Sequence, residues 1–221
     1  MQEAWKKFTI PTKNRHRFCG ICITDGGYAY TGYEVRKMKK EQESTVSLDL
    51  ASYNVVNDNH QFLKDLIYKY VDIVFANEDE SFAYTHLNPE ESVENIAGQC
   101  DIAIVKVGKR GSYVRQGGQL YHIGAITSNC LDSTGAGDLY AGGFLHALSD
   151  GFDLRRCGEI GTIAAGRVVE IVGTKLPDET WYFTRFEAKD TKSLRMKKIK
   201  LRKYGFKGNF DKIPGFSLIC E

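Results

Sequence analysis

Residues 132–145 read Asp132-Ser133-Thr134-Gly135-Ala136-Gly137-Asp138-Leu139-Tyr140-Ala141-Gly142-Gly143-Phe144-Leu145, a glycine-rich turn that runs into an apolar helix with a carboxylate at its mouth. No other stretch constrains the chain as much. Such a turn lets successive backbone N–H groups converge on one point, and the helix behind it adds its positive end, so an anion such as a phosphoryl group is stabilised there. Asp138 would then stand beside the anion. A carboxylate in that place costs energy unless it has a task, and the natural task is to accept a proton from a hydroxyl that attacks phosphorus. The pattern points to phosphoryl transfer, against the plainer alternative of a tight strand-to-helix connection.

The middle of the chain alternates strand and helix signals, as an α/β domain does. Residues 46–50 form a short apolar strand, and residues 61–70 carry Phe62, Leu63, Leu66 and Ile67 at helical spacing. Residues 71–76 read as a buried strand that ends at Asn77, residues 91–99 as a helix, and residues 101–107 as the next strand. Ligands of open parallel sheets gather at the C-terminal ends of the strands, which is where Asn77 and Glu80 fall. Asn77 and Glu80 also have the spacing of a capping box, and that could be their whole purpose. Gly117-Gly118 between residues 112–115 and 120–123 signals a hairpin, hence a mixed sheet. Two helices follow, over residues 137–148 and 154–172. The second is rich in Ala and Gly, so it can approach a flat ligand or a neighbouring helix closely.

Asp132-Ser133-Thr134-Gly135-Ala136-Gly137-Asp138, followed by Ala141-Gly142-Gly143-Phe144, closely resembles the second signature of the PfkB (ribokinase-like) carbohydrate and nucleoside kinases. Asn77-Glu78-Asp79-Glu80 is similar to the family's Asn-x-x-Glu motif, and Lys106-Val107-Gly108-Lys109-Arg110-Gly111-Ser112 to its strand and glycine turn beside the nucleotide. Four matched elements in the right order cover about residues 46–181. The look of residues 50–54 and 77–80 leans toward the adenosine-kinase-like branch.

The resemblance implies a three-layer α/β/α ribokinase-like domain with a mainly parallel sheet and a β-hairpin. It implies ATP and Mg2+ as cofactors and a sugar or nucleoside hydroxyl as acceptor. Asp138 is the implied base, and Gly135, Ala136 and Gly137 form the anion hole. Lys106, Gly108, Gly111 and Gly173 lie along the nucleotide, while Asn77 and Glu80 act on magnesium, through water. Lys109 and Arg110 could meet phosphate or stand as solvated surface cations. Asp49-Leu50-Ala51 departs from the family's Asp-x-Asn pattern, having Ala51 in place of the amide.

The resemblance leads to the expectation that the family's N-terminal half, with most of the acceptor contacts, is largely missing before Val46. Residues 1–45 are therefore expected to be a divergent remnant, 46–181 the nucleotide-binding core and 182–221 a basic tail, so that the domain is N-terminally truncated. The alternative to a kinase is thus a catalytically inactive nucleotide-binding fragment. From Trp181 to Glu221 there are eleven Lys or Arg against four Asp or Glu, in a chain whose net charge is only +2. That cluster could attract polyanions, although a solvated tail is the simpler reading and nucleic acid is not an expected partner. A homo-oligomer stays open.

At 221 residues the chain can bury one sizeable core without staples. Cys19, Cys22, Cys100, Cys130, Cys157 and Cys220 are scattered, and Cys19-Gly20-Ile21-Cys22 lacks the second pair that a closed zinc site needs, so reduced thiols are expected. No run of 18 or more apolar residues and no signal-peptide block occur, so no membrane partner is expected and a cytoplasmic location is the default. His60, His86, His122 and His146 have no metal-like spacing.

Overall fold

Alternating side chains on two central strands set the architecture. In β3 (Ile73–Asn77) and β4 (Ile102–Lys106), Ile73, Phe75, Ile102 and Ile104 enter one core. Val74, Ala76, Ala103 and Val105 enter another on the opposite face. A strand buried on both faces reads as a continuous apolar run, and it needs helices on both sides.

The computed structural model describes residues 18–22 and 45–173. The expectations for the N-terminal remnant outside 18–22 and for the basic tail fall outside these residues. β1 (Phe18–Cys22), β2 (Thr45–Asp49), β3 and β4 run parallel, in that order across the sheet. β5 (Ser112–Gln116) and β6 (Gln119–Ile123) then add antiparallel, as the hairpin that Gly117-Gly118 signals.

One face carries α1 (Tyr53–Asp58), α2 (His60–Tyr70), α3 (Glu78–Thr85) and α4 (Pro89–Ala97). Val55 and Val56, Leu63, Leu66 and Ile67, Ala83 and Tyr84, and Val93 and Ile96 are their core contributions. The other face carries α5 (Ala136–Ser149) and α6 (Leu154–Val168), through Tyr140, Phe144, Ala147, Leu154, Cys157 and Ile160. The result is the three-layer α/β/α fold with a mainly parallel sheet.

α5 and α6 meet through glycine. A Cβ on Gly161 would lie 2.8 Å from the Tyr140 carbonyl oxygen, and one on Gly143 would lie 3.1 Å from Gly161 Cα. The small residues of α6 therefore serve a neighbouring helix. Beneath this contact the Tyr140 hydroxyl meets Ser112 Oγ at 2.7 Å, which ties α5 to the start of β5. α6 stops at Val168 rather than continuing to 172, because residues 169–173 turn back toward the glycine-rich loop. In that turn Val169 O accepts from the Leu131 and Asp132 amides.

Candidate active site

Three strands and one helix deliver the site, all at the C-terminal edge of the parallel sheet. β2 ends at Asp49, β3 at Asn77 and β4 at Lys106, and Asn77 and Lys106 are partners in the β3–β4 register. α5 begins against this edge. A Cβ on Gly137 would sit 3.2 Å from Lys106 Nζ, so the ammonium lies against the first turn of that helix.

The turn itself is entered through Gly135, the N-cap of α5, at φ +77, a left-handed conformation that glycine adopts without steric cost. No side chain caps the helix, and the Gly137 and Asp138 amides have no partner among the described residues. These are the orphan donors of a helix start, backed by the helix dipole. Asp138 follows in the same turn and its side chain is exposed at the mouth. The carboxylate thus faces solvent rather than the packed interior.

Asp132 braces this turn from behind. Its Oδ1 accepts from the Thr134 amide at 2.9 Å and its Oδ2 from the Gly173 amide at 2.9 Å. Hydrogen bonds from Thr134 first, then from Gly173, hold its carboxyl below the ordinary carboxylate range. Gly173, at φ +86, is thereby tied to the loop that leads into α5.

Asn77 and Glu80 form a complete capping box at the start of α3. Asn77 Oδ1 accepts from the Glu80 amide at 2.9 Å, and Glu80 Oε2 accepts from the Asn77 amide at 2.8 Å. Glu80 Oε1 also accepts from Asn77 Nδ2 at 2.7 Å. Glu80 is only 4 % exposed, and burial pushes its carboxyl up, opposed by the hydrogen bond from Asn77; Asp49 adds to the rise and Lys106 offsets it. Asp49, Asn77, Glu80, Lys106 and Gly137 therefore make one electrostatic unit.

This donor set suits a small, hard divalent ion that keeps most of its waters, as magnesium does. Glu80 is enclosed and already accepts two N–H groups, and among the described residues no three His, Cys, Asp or Glu side chains gather as a cage. With both side chains engaged in the capping box, an ion here would meet Asn77 and Glu80 through its water shell rather than directly.

The remaining expected residues lie around this edge rather than within it. Gly108, at φ +55, opens the short turn Gly108–Arg110 after β4, where a Cβ would meet nothing within 4 Å. At Gly111, φ +95, a Cβ would fall 1.8 Å from the Ile123 carbonyl oxygen. That glycine is required by the close pass of β6, whatever else it touches. Arg110 pairs with Glu78, and its carbonyl accepts from His122 Nε2 at 2.9 Å. Asp49 and Asp132 are the two residues that sequence reasoning left without a role. The signal for Asp49 was its place at a strand end in line with Asn77. For Asp132, joined to Gly173 across 41 positions, local sequence held no signal.

An α/β sheet with a cation and a capping box at its C-terminal edge, against a helix that opens on a glycine turn, is the arrangement of the ribokinase-like fold. The chain belongs to the pfkB family of carbohydrate kinases, whose profile matches residues 31–181. It is 32 % identical over 137 residues to a nucleoside kinase of Methanocaldococcus jannaschii, covering 60 % of this chain and 45 % of that protein. It is 31 % identical over 142 residues to a 5-dehydro-2-deoxygluconokinase of Bacillus subtilis, covering 61 % and 44 %. Among solved structures, adenosine kinase from Sinorhizobium meliloti superposes with a TM-score of 0.66 at 29 % identity, over 71 % of this chain and 48 % of that one. The chain spans about half the length of these relatives. Nucleoside and adenosine kinases among them agree with the adenosine-kinase-like look of residues 50–54 and 77–80.

Proposed function

We propose that this chain carries the phosphate side of an ATP-dependent phosphotransferase whose acceptor is a hydroxyl of a sugar or nucleoside. One observation carries the reading: the Lys106 ammonium lies against the first turn of α5, with the exposed Asp138 one residue further on. A cation, unpaired amides and a solvent-facing carboxylate at one helix start are what an in-line transfer needs.

The Gly135, Gly137 and Asp138 amides would bind the equatorial oxygens of the transferring group, the Ala136 amide being already donated to the Ser133 carbonyl at 3.2 Å; one such preorganised donor is worth about 10²-fold or more. Lys106 would neutralise charge on the same oxygens. Asp138 would orient the acceptor hydroxyl and take its proton, a role worth roughly 10²–10⁴-fold. Asn77 and Glu80 would hold the water shell of magnesium, which when bound spreads the charge of the phosphates. Gly108, Gly111 and Gly173 would border the nucleotide, the last through its tie to Asp132.

A second reading, a nucleotide-binding unit without turnover, is favoured by one specific departure. Ala51 stands where the family's Asp-x-Asn pattern has an amide, and it holds a left-handed φ of 63, which costs a non-glycine residue about 1–2 kcal/mol and which Asn tolerates better. Acceptor-dependent ADP formation over a panel of nucleosides and pentoses separates the two. Turnover that Asp138→Asn abolishes supports the kinase, and binding of ATP without turnover supports the second reading.

A further inference from the structure

Lys106 and Asp49 are on strands that do not touch, because β3 runs between β2 and β4. Their side chains nevertheless close over its end, with Lys106 Nζ donating to Asp49 Oδ2 at 2.9 Å. Neither is a surface ornament: the side chains are 15 % and 28 % exposed. The other Asp49 oxygen is committed too, since Oδ1 accepts from the Ala51 amide at 3.0 Å. That amide is turned back onto Asp49 by the left-handed Ala51 and by the Ser52 amide, which donates to the Leu50 carbonyl at 2.7 Å. Strained backbone is thus kept at the place where it fixes one carboxylate.

The direction in which the ammonium is held matters because it has a rival partner. Glu80 interacts electrostatically with both Lys106 and Asp49. Without the Asp49 carboxylate, Glu80 is the remaining anion of this unit, and it sits inside α3 rather than at α5. With Asp49 in place, Nζ lies 3.2 Å from where a Cβ on Gly137 would be, a close approach that the glycine permits.

We propose that Asp49 is a positioning residue: anchored by the Ala51 amide, it holds the Lys106 ammonium at the first turn of α5, where that cation reads the terminal phosphate of a nucleoside triphosphate. The inference rests on the phosphotransferase reading above. It also predicts a sign that simple electrostatics does not. Removing a negative charge from beside a phosphate site should strengthen binding of the more highly charged nucleotide. Removing a positioning carboxylate should weaken it, by the cost of ordering a long side chain on binding, about three- to tenfold.

The test compares dissociation constants of the β,γ-imido analogue of ATP and of ADP, each with magnesium, by titration calorimetry. The proteins are the full chain, Asp49→Asn, Lys106→Met and the double variant, with thermal melting recorded for each. Asp49→Ser, whose hydroxyl can still accept from the Ala51 amide, is the second Asp49 variant. The expected result is that Asp49→Asn lowers the preference for the analogue over ADP about three- to tenfold, leaves ADP binding unchanged and melts near the parent. Lys106→Met lowers the preference at least as far, and the double variant matches Lys106→Met. An unchanged or increased preference in both Asp49 variants overturns the inference, as does a double variant weakened by the product of the two single effects. Failure of both Asp49 variants to fold also overturns it, by making the role structural. A parent chain that binds both nucleotides equally removes this inference alone, whereas one that binds neither removes the phosphotransferase reading with it.

Discussion

At the scale of single residues, the two carboxylates of the motifs differ in environment although both looked equally polar in sequence. Asp138 faces solvent at the start of α5, and Glu80 is enclosed in the start of α3. Asp138→Asn keeps the shape and removes the base, so acceptor-dependent ADP formation is expected to fall roughly 10²–10⁴-fold with the melting temperature unchanged. Glu80 carries a pH signature. Its carboxyl is raised from the ordinary 4.5, mainly by burial, so its stabilising contribution is fullest below that value and is lost as pH rises through the raised one. Urea unfolding of the parent and of Glu80→Gln across this window should show the parent's relative stability declining from acid toward neutral pH, and a flat difference would contradict it. The residue identities were legible because phosphate chemistry uses few residue types. Which carboxylate is buried was not, because burial depends on α3 lying against the sheet.

At the scale of elements, the capping box and the glycine turn do different work at the starts of two helices. In α3 the Glu80 amide is capped by the Asn77 side chain, whereas no side chain caps α5. A helix start without a side-chain cap leaves amide donors that water or an anion can satisfy. Asn77→Ala removes the side-chain acceptor of the Glu80 amide and is expected to cost about 1 kcal/mol in denaturant unfolding. If the residue also holds the metal's waters, the variant additionally weakens the magnesium dependence of nucleotide binding, which calorimetry at two magnesium concentrations measures. Strands β2 to β4, the hairpin, α2, α4 and α5 were readable within two or three residues, because apolar period and glycine punctuation report local geometry. The six-residue α1 was not, since a helix that short has too few turns to show a period. The end of α6 was misplaced because residues 169–172 continue its composition while Val169 O is taken by the loop before α5.

At the scale of the whole molecule, the turn before α5 and the turn after α6 are tied to one another through Asp132 and Gly173, so a ligand bound at this edge should stabilise the fold as a unit. Magnesium with the imido analogue at about a hundred times its dissociation constant is expected to add about 2.7 kcal/mol, or roughly 5–10 °C in melting temperature for a chain of this size. Scanning fluorimetry reads this directly, and no shift at saturating nucleotide would count against a nucleotide site. The order of strand and helix signals and the phosphate-binding signature were set by the sequence alone, because both follow from near neighbours: side-chain period, glycine turns and the first residues of a helix. Only the tertiary structure decided that Asp49 reaches Lys106 across β3, that Lys106 comes to rest beside Gly137, and that Asp132 clasps Gly173. Those contacts join residues 31 to 57 positions apart, and their geometry is a product of sheet order and helix packing that no local pattern encodes.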